Sequence, residues 1–300
     1  MRNDKHGLVK QYCGKNNLQV ITVERERFVR AHLKDGRQEY FLKLSFDTVL
    51  NRNLENETVW NKEISIQAKQ DRKLFCVPQV FDEGRLNGMP YFLSEYFPQD
   101  RCLSQKGKLS SRFKKFIPLC VDFLFWLRTL KIKLPNDSVS TFREPYNNMV
   151  FSTAKGYTKD IDRDFKDLLS VIQNTNFKNT SLAHVEIKPD HLFDVEDKLG
   201  IIDAEWASNN VPEHYDVVSC YARTYAKAQS PEMADLLLLQ YFQAVQKHKL
   251  DVNQFKQQFR GLLAWRAVGE YRDAYRGKSV NPEHEELIRK VLKNQFVFNE

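Results

Sequence analysis

The order of apolar patterns in the first hundred residues restricts the fold more than any other feature of this chain. Residues 18–23, 27–33 and 39–46 are rich in Val, Ile, Phe and Tyr, and the second and third are joined through Lys34-Asp35-Gly36, a hairpin signal. Three antiparallel strands are expected. After Asn51 the period changes, with Val59, Ile64, Ile66 and Ala68 at helical spacing among Glu, Asn, Lys and Gln residues, which predicts an amphipathic helix. Val77-Pro78 ends that helix, residues 79–81 read as a fourth strand, and the turn Arg85-Leu86-Asn87-Gly88 leads to a fifth over residues 90–97. The remainder is helical: residues 110–130, 159–172, 231–247, 254–275 and 282–292 carry apolar side chains at three- and four-residue spacing.

At 300 residues with 42% hydrophobic and 12% aromatic content, the chain can bury a substantial core in one large or two medium domains. Charged residues are interleaved throughout and no Gly/Ser-rich or Pro-rich tract is long enough to act as a linker, so two parts must be closely joined. Trp126, Trp265, Tyr271 and Tyr275 are read as core. The net charge of +7 permits an anionic partner such as a nucleotide, a nucleic acid or an acidic lipid head group. Its basic clusters, such as Lys106-Gly107-Lys108 and Lys114-Lys115, read as solvated faces. No basic stripe interleaved with aromatics and no recognisable motif points to a specific nucleic acid. Cys13, Cys76, Cys102, Cys120 and Cys220 are scattered, with neither CxxC pairing nor a His at metal-ligand spacing, which fits a reduced, cytoplasmic setting. The first residues lead into no apolar signal segment, and the longest apolar stretch, 119–130, contains Asp122 and Arg128, so no transmembrane segment is expected.

Reactive side chains concentrate in His184-Val185-Glu186-Ile187-Lys188-Pro189-Asp190-His191-Leu192-Phe193, followed after a short turn over 196–200 by Ile201-Ile202-Asp203-Ala204-Glu205-Trp206. Alternation along a strand puts Asp203 and Glu205 on one side. These segments, and the three strands, helix and two strands before them, resemble the aminoglycoside phosphotransferase and choline kinase group of protein-kinase-like proteins. Their catalytic loop reads His-Gly-Asp-x-x-x-x-Asn, and their metal-binding strand ends in Ile-Asp-Trp/Phe-Glu.

The resemblance implies an α+β bilobal fold, with a five-stranded antiparallel sheet in an N-terminal nucleotide-binding lobe, residues 1–97, and a mainly helical lobe, residues 98–300, for catalysis and acceptor binding. It further implies an ATP-dependent (or GTP-dependent) phosphotransferase that uses Mg²⁺ or Mn²⁺ and acts on a hydroxyl of a small molecule: a sugar, an amino alcohol or a lipid-linked acceptor. Lys43, within Tyr40-Phe41-Leu42-Lys43-Leu44, would lie beneath the α- and β-phosphates. Glu63 is the expected ion-pair partner that orients it, with Glu57 the second candidate. Glu95-Tyr96-Phe97 would be the hinge whose backbone meets the base. Glu186 would orient the acceptor hydroxyl, His184 would brace the loop, and Asp203 with His191 and Glu205 would hold the metal ion. The segment 211–218 resembles the family's Asp-Pro-x-Tyr-Asp-Leu-Ala, in which Asp216 caps the next helix and ties it to the loop.

Three positions depart from that pattern. The segment 22–28 has no glycine where a glycine-rich loop would approach the phosphates, which leaves Arg25 or Arg27 to contact them. Glu186 replaces an aspartate and displaces its carboxylate by about 1.5 Å, an offset that can cost about a hundredfold in rate. His191 replaces an asparagine, and imidazole prefers softer ions than Mg²⁺. A catalytically impaired kinase-like binding or regulatory protein is therefore the alternative. Acceptor specificity in such a fold belongs to residues 103–177 and those from Pro231 onward, and the positive charge favours a neutral or anionic acceptor over a cationic one.

Overall fold

The structure, a computed structural model, describes residues 5–139, 146–177 and 179–299; residues 140–145 of the expected acceptor region lie outside it. Helix α1 (Lys5–Asn16) precedes β1 (Gln19–Arg25), β2 (Val29–Asp35) and β3 (Gln38–Leu44), then α2 (Asn51–Gln70), β4 (Phe75–Cys76), β5 (Val80–Leu86) and β6 (Met89–Glu95). Five of these strands form one antiparallel sheet in the order β1-β2-β3-β6-β5, as expected. The β2–β3 turn is closed by Gly36, at φ +54°, where a side chain would be strained.

Two elements of this part were not legible. Helix α1 places Leu8, Val9, Tyr12 and Cys13 against Val29, Leu33, Leu42 and Leu93 of the sheet, and Tyr12 donates a 2.7 Å hydrogen bond to Asp82. Strand β4 pairs in parallel with a strand far along the chain. Ile66, expected on the core face of α2, is 49% exposed, because two residues beyond Ile64 is a 200° rotation.

The larger part contains the short hairpin β7 (Ser104–Gln105) and β8 (Lys108–Leu109), helices α3 (Phe113–Leu127), α4 (Tyr146–Tyr157) and α5 (Lys166–Gln173), strands β9 (Thr180–Ala183), β10 (Leu192–Val195), β11 (Lys198–Ile201) and β12 (Ser208–Pro212), and then α6 (Tyr215–Ala222), α7 (Pro231–Lys247), α8 (Val252–Arg276) and α9 (Pro282–Lys293). Sequence expectation and structure agree closely for α7, α8 and α9, whose ends carry explicit signals: Pro231 at the first turn of α7, Asp251 accepting from the backbone N–H groups of Asn253 and Gln254, and a capping box between Asn281 and His284. Strands β10 and β11 turn through Glu196 and Asp197, at φ +51° and +64°, the pair of left-handed residues that a tight two-residue hairpin requires.

One contiguous core joins the large part to α2, whose Trp60, Ile64 and Ala68 pack with Phe75, Phe116, Phe123 and Leu199. Toward its N-terminal half the same buried face of α2 carries Asn53, Asn56, Glu57 and Asn61, which lie within about 100° of Trp60 around the helix, polar groups that a helix hides only when they have partners. The Asn56 amide donates to the carbonyls of Ala204 (3.2 Å) and Ala207 (3.0 Å) and accepts from the backbone N–H of Asn136 (3.0 Å), while Asn136 donates to the Glu205 carbonyl (2.9 Å). These bonds fix the segment after β11 against α2, so Asn56→Ala is expected to cost about 1–3 kcal/mol, the penalty for buried groups left without partners. Urea unfolding of the two proteins checks this; equal midpoints would contradict it.

Candidate active site

Lys43 lies on β3, and strand alternation gives it the same face as Phe41. Its ammonium, 3% exposed, donates to Glu57 Oε2 at 2.6 Å and Asp203 Oδ1 at 2.8 Å and stands 3.9 Å from Glu205 Oε2. Burial alone would strip its proton, but Asp203, then Glu57 and Glu205, reverse that and hold its pKa above the ordinary value. Burial pushes Glu57 up to about 7 against the pull of Lys43, and raises Glu205 as well. For Asp203 the cost of burial is overcome by Lys43, with His191 next, so its carboxyl stays well below the usual range.

The expected partner of Lys43, Glu63, is corrected to Glu57. Six residues along an α-helix is a rotation of about 600°, which leaves Glu63 about 120° around the helix from the face that Glu57 presents to the site. Counting back from Val77-Pro78 misplaced it, because α2 ends at Gln70 and β4 intervenes.

Asp203 follows β11 with φ +68°, a strained conformation for an L-residue that occurs at sites where the surroundings enforce it. His191 Nε2 lies 3.3 Å from Asp203 Oδ2. Burial lowers the His191 pKa well below normal, and the ring stands against the carboxylate and braces Asp203. The loop before it is held from α6. The Asp216 carboxylate accepts the backbone N–H groups of His184 (2.7 Å) and Val185 (2.8 Å), as expected of a residue tying helix to loop. Val185 has φ +75°; a β-branched residue adopts it only under such constraint. His184 is fully buried, its Nε2 donates to the Ile202 carbonyl at 3.0 Å and its ring meets Trp60 edge to face. It braces the loop from within and has no surface toward a substrate. Glu186 is 35% exposed, with Lys188 Nζ 3.9 Å from its Oε2.

A cleft of about 400 Å³ runs from Lys43, Asp203 and Lys188 to Glu95, Tyr96 and Phe97. Phe97 is buried and packs on Phe193 with ring centres 5.8 Å apart. The Glu95 N–H is engaged by the Gln79 carbonyl at 2.9 Å. His32 stacks on Tyr96 at 3.8 Å and, with Phe41, forms the apolar roof. Over the Lys43 end of the cleft the segment without glycine turns inward. Phe28 is buried with its ring 4.6 Å from Lys43 Nζ, and Arg27 reaches across to Glu205 Oε1 at 2.8 Å while lying 5.3 Å from the Trp206 ring.

Sequence reasoning thus brought together Lys43, Glu186, Asp203, Glu205, His184 and His191, but missed Lys188 and the inward position of Phe28. Lys188 had a signal, being the one cation inside the catalytic-loop motif. As for a metal ion, Asp203 and Glu205 offer hard oxygen donors, and Glu205 Oε2 is buried without a hydrogen-bond partner, a donor set suited to Mg²⁺. Among the described residues no group of three or more His, Cys, Asp or Glu is arranged to hold a metal ion, so ligands from outside the protein, water among them, would have to complete the shell.

No protein-family model matches the chain, and no curated protein matches it. Solved structures do. The GDP complex of aminoglycoside 2'-phosphotransferase-IIIa superposes with a TM-score of 0.64 and 14% identity over 98% of this chain and 100% of that one. An ethanolamine kinase of Plasmodium vivax gives 0.55 and 13% over 98% and 89%, and a choline kinase of Streptococcus pneumoniae gives 0.55 and 13% over 96% and 97%. The chain therefore has the protein-kinase-like bilobal fold of these phosphotransferases, as the sequence resemblance implied.

The burial of His184 carries a pH dependence. Burial lowers its pKa from 6.5 to about 4, so between these values the unfolded chain binds more protons than the native one. The corresponding stability is complete above 6.5 and is lost as pH falls through this window. Relative to His184→Gln, the wild type is expected to lose up to about 1.4 kcal/mol per pH unit on acidification, and the other buried histidines cancel in the comparison. Urea midpoints of both proteins from pH 7 to 4 measure it; parallel profiles would contradict the assignment.

Proposed function

We propose that this chain is a nucleotide-dependent phosphotransferase acting on a hydroxyl of a small molecule, with ATP or GTP as donor and Mg²⁺ or Mn²⁺ as the ion. The observation that carries the reading is the 2.8 Å meeting of Lys43 and Asp203 in an interlobe cleft, with a half-exposed carboxylate at Glu186 close enough to act on Glu205. Phosphoryl transfer asks a protein mainly for position and for charges that match the phosphates. Lys43, oriented by Glu57, would take the α- and β-phosphate oxygens, exchanging its contact with Asp203 for them. The base would lie against Phe41 and the Tyr96–Phe97 backbone. Asp203 and Glu205 would hold the ion, which neutralises charge on the β- and γ-phosphates. Glu186 would orient the acceptor hydroxyl and take its proton, while Lys188 meets the transferring group from the loop side. The division at residues 97 and 98 separates the nucleotide-holding part from the acceptor-holding part. All five cysteines are free thiols, which supports a reduced, cytoplasmic setting, and among the described residues no helix is long and apolar enough to cross a membrane.

A second reading, a kinase-like binding or regulatory protein without efficient catalysis, is favoured by one observation. Phe28 and the Arg27–Glu205 pair stand over Lys43 where phosphates would lie, so the segment must lift before a triphosphate can enter. Side-by-side turnover of the wild type, Glu186→Gln and Glu186→Asp separates the two readings. For a phosphotransferase, Glu186→Gln is expected to lower turnover by about 100-fold or more with nucleotide affinity nearly unchanged, because this carboxylate acts on the acceptor. Wild-type turnover that survives Glu186→Gln intact would sink the mechanism. Absence of transfer with every acceptor, together with nucleotide binding, would favour the second reading.

A further inference from the structure

Beyond Glu186 the large lobe closes a ring of charge that the nucleotide cleft does not use. Lys188, 3.9 Å from Glu186, is within electrostatic reach of Arg223 and Lys227. Arg223 Nε lies 2.7 Å from Glu270 Oε1, and the same oxygen takes the guanidinium of Arg266. Arg266 Nη1 reaches the Tyr215 hydroxyl at 3.4 Å, and both groups lie in the field of Glu186. Lys227 pairs with Asp190 at 2.8 Å. Four cations therefore face three carboxylates, Glu186, Asp190 and Glu270, and a fourth, Asp203, which also acts on Lys188, is already paired with Lys43.

The surplus is not an ordinary solvated face. The side chains of Lys188, Arg223 and Arg266 are 17%, 15% and 12% exposed, and Arg266 Nε is buried without a hydrogen-bond partner among the described residues. Arg223 and Lys227 open and close a π turn between α6 and α7, an irregularity that recurs at functional sites. Two aromatic faces on this side are already covered: Arg272 lies 3.9 Å from the Tyr157 ring and Arg163 4.7 Å from that of Tyr271.

We propose that the acceptor is an anion, a hydroxy compound carrying a phosphate or carboxylate group that Lys188, Arg223 and Arg266 hold while Glu186 takes its hydroxyl. The assignment rests on the reading of Glu186 as the residue that orients the acceptor. Burial, then the repulsion of Arg223, depresses the Lys188 pKa, a penalty that a bound anion relieves. A cationic acceptor would meet surplus positive charge and find those rings occupied.

Thermal unfolding of nucleotide-free protein, at matched ionic strength, with glycerol 3-phosphate, glycerate, glycerol or choline tests this. Either or both of the first two are expected to raise Tm by about 2 °C near ten times Kd, glycerol and choline to leave it unchanged, and the relative sizes of the two anion shifts tell phosphate from carboxylate. Arg223→Gln should reduce the shift at least threefold, whereas Arg30→Gln, which removes a cation from the nucleotide cleft, should keep it. If Arg223→Gln does not fold, Lys188→Gln is read in its place. No shift from either anion, a larger shift from choline, or a shift that survives loss of the ring cation would overturn the proposal. With nucleotide absent throughout, failure here leaves the phosphotransferase reading standing, and failure of nucleotide binding leaves this result standing.

Discussion

The Lys43 ammonium is the point at which the sheet, helix α2 and the segment after β11 are held together. It is buried, and a buried ammonium persists only where opposite charge offsets its lost hydration. Glu57 from α2 and Asp203 from the large lobe supply that charge at hydrogen-bonding distance, so three elements distant in sequence are pulled to one atom. Removing Lys43 would leave two carboxylates facing each other in a poorly hydrated space. The same arrangement explains the buried asparagines of α2, which position the 204–207 backbone so that Asp203 can reach.

Lys43 faces more carboxylates than it can neutralise, and on the proposed function a divalent ion would supply the missing positive charge. Asp203, Glu57 and Glu205 face Lys43 and Arg27, three carboxylates against two cations, and burial raises the pKa of Glu57 and Glu205. Arg27 comes from the turn between β1 and β2, so the segment that elsewhere in this fold would approach the phosphates through glycine here contributes a side chain and a buried phenyl ring. The Arg27–Glu205 pair ties the small sheet to the large lobe at the mouth of the cleft.

How much of this was legible in the sequence depended on how local each signal is. The hairpin strands, Lys43, Asp203 and the loop from His184 to His191 could be read because their spacing is fixed within one or two elements. Glu57 could not be chosen over Glu63 from distance to a proline, since the intervening helix end and β4 are set by tertiary packing; the signal that was present is the polar run Asn53, Asn56, Glu57, Asn61, which repeats at helical spacing and continues the face of Trp60, Ile64 and Ala68 toward the start of the helix. Helix α1 was missed because its buried residues Leu8, Val9, Tyr12 and Cys13 lie among Gly and Lys with weak amphipathic contrast. The ring of Lys188, Arg223 and Arg266 joins residues up to 78 positions apart, and no local pattern announces it.

The central claim is that Lys43 and Asp203 form one nucleotide site, and calorimetric titration of a non-hydrolysable ATP or GTP analogue into the wild type and Asp203→Asn, each with Mg²⁺ and with excess chelator, tests it most directly. Binding by the wild type that needs the divalent ion, and that weakens at least tenfold in Asp203→Asn, about 1.4 kcal/mol, is the predicted result. Binding that is indifferent both to the ion and to the substitution would contradict the account.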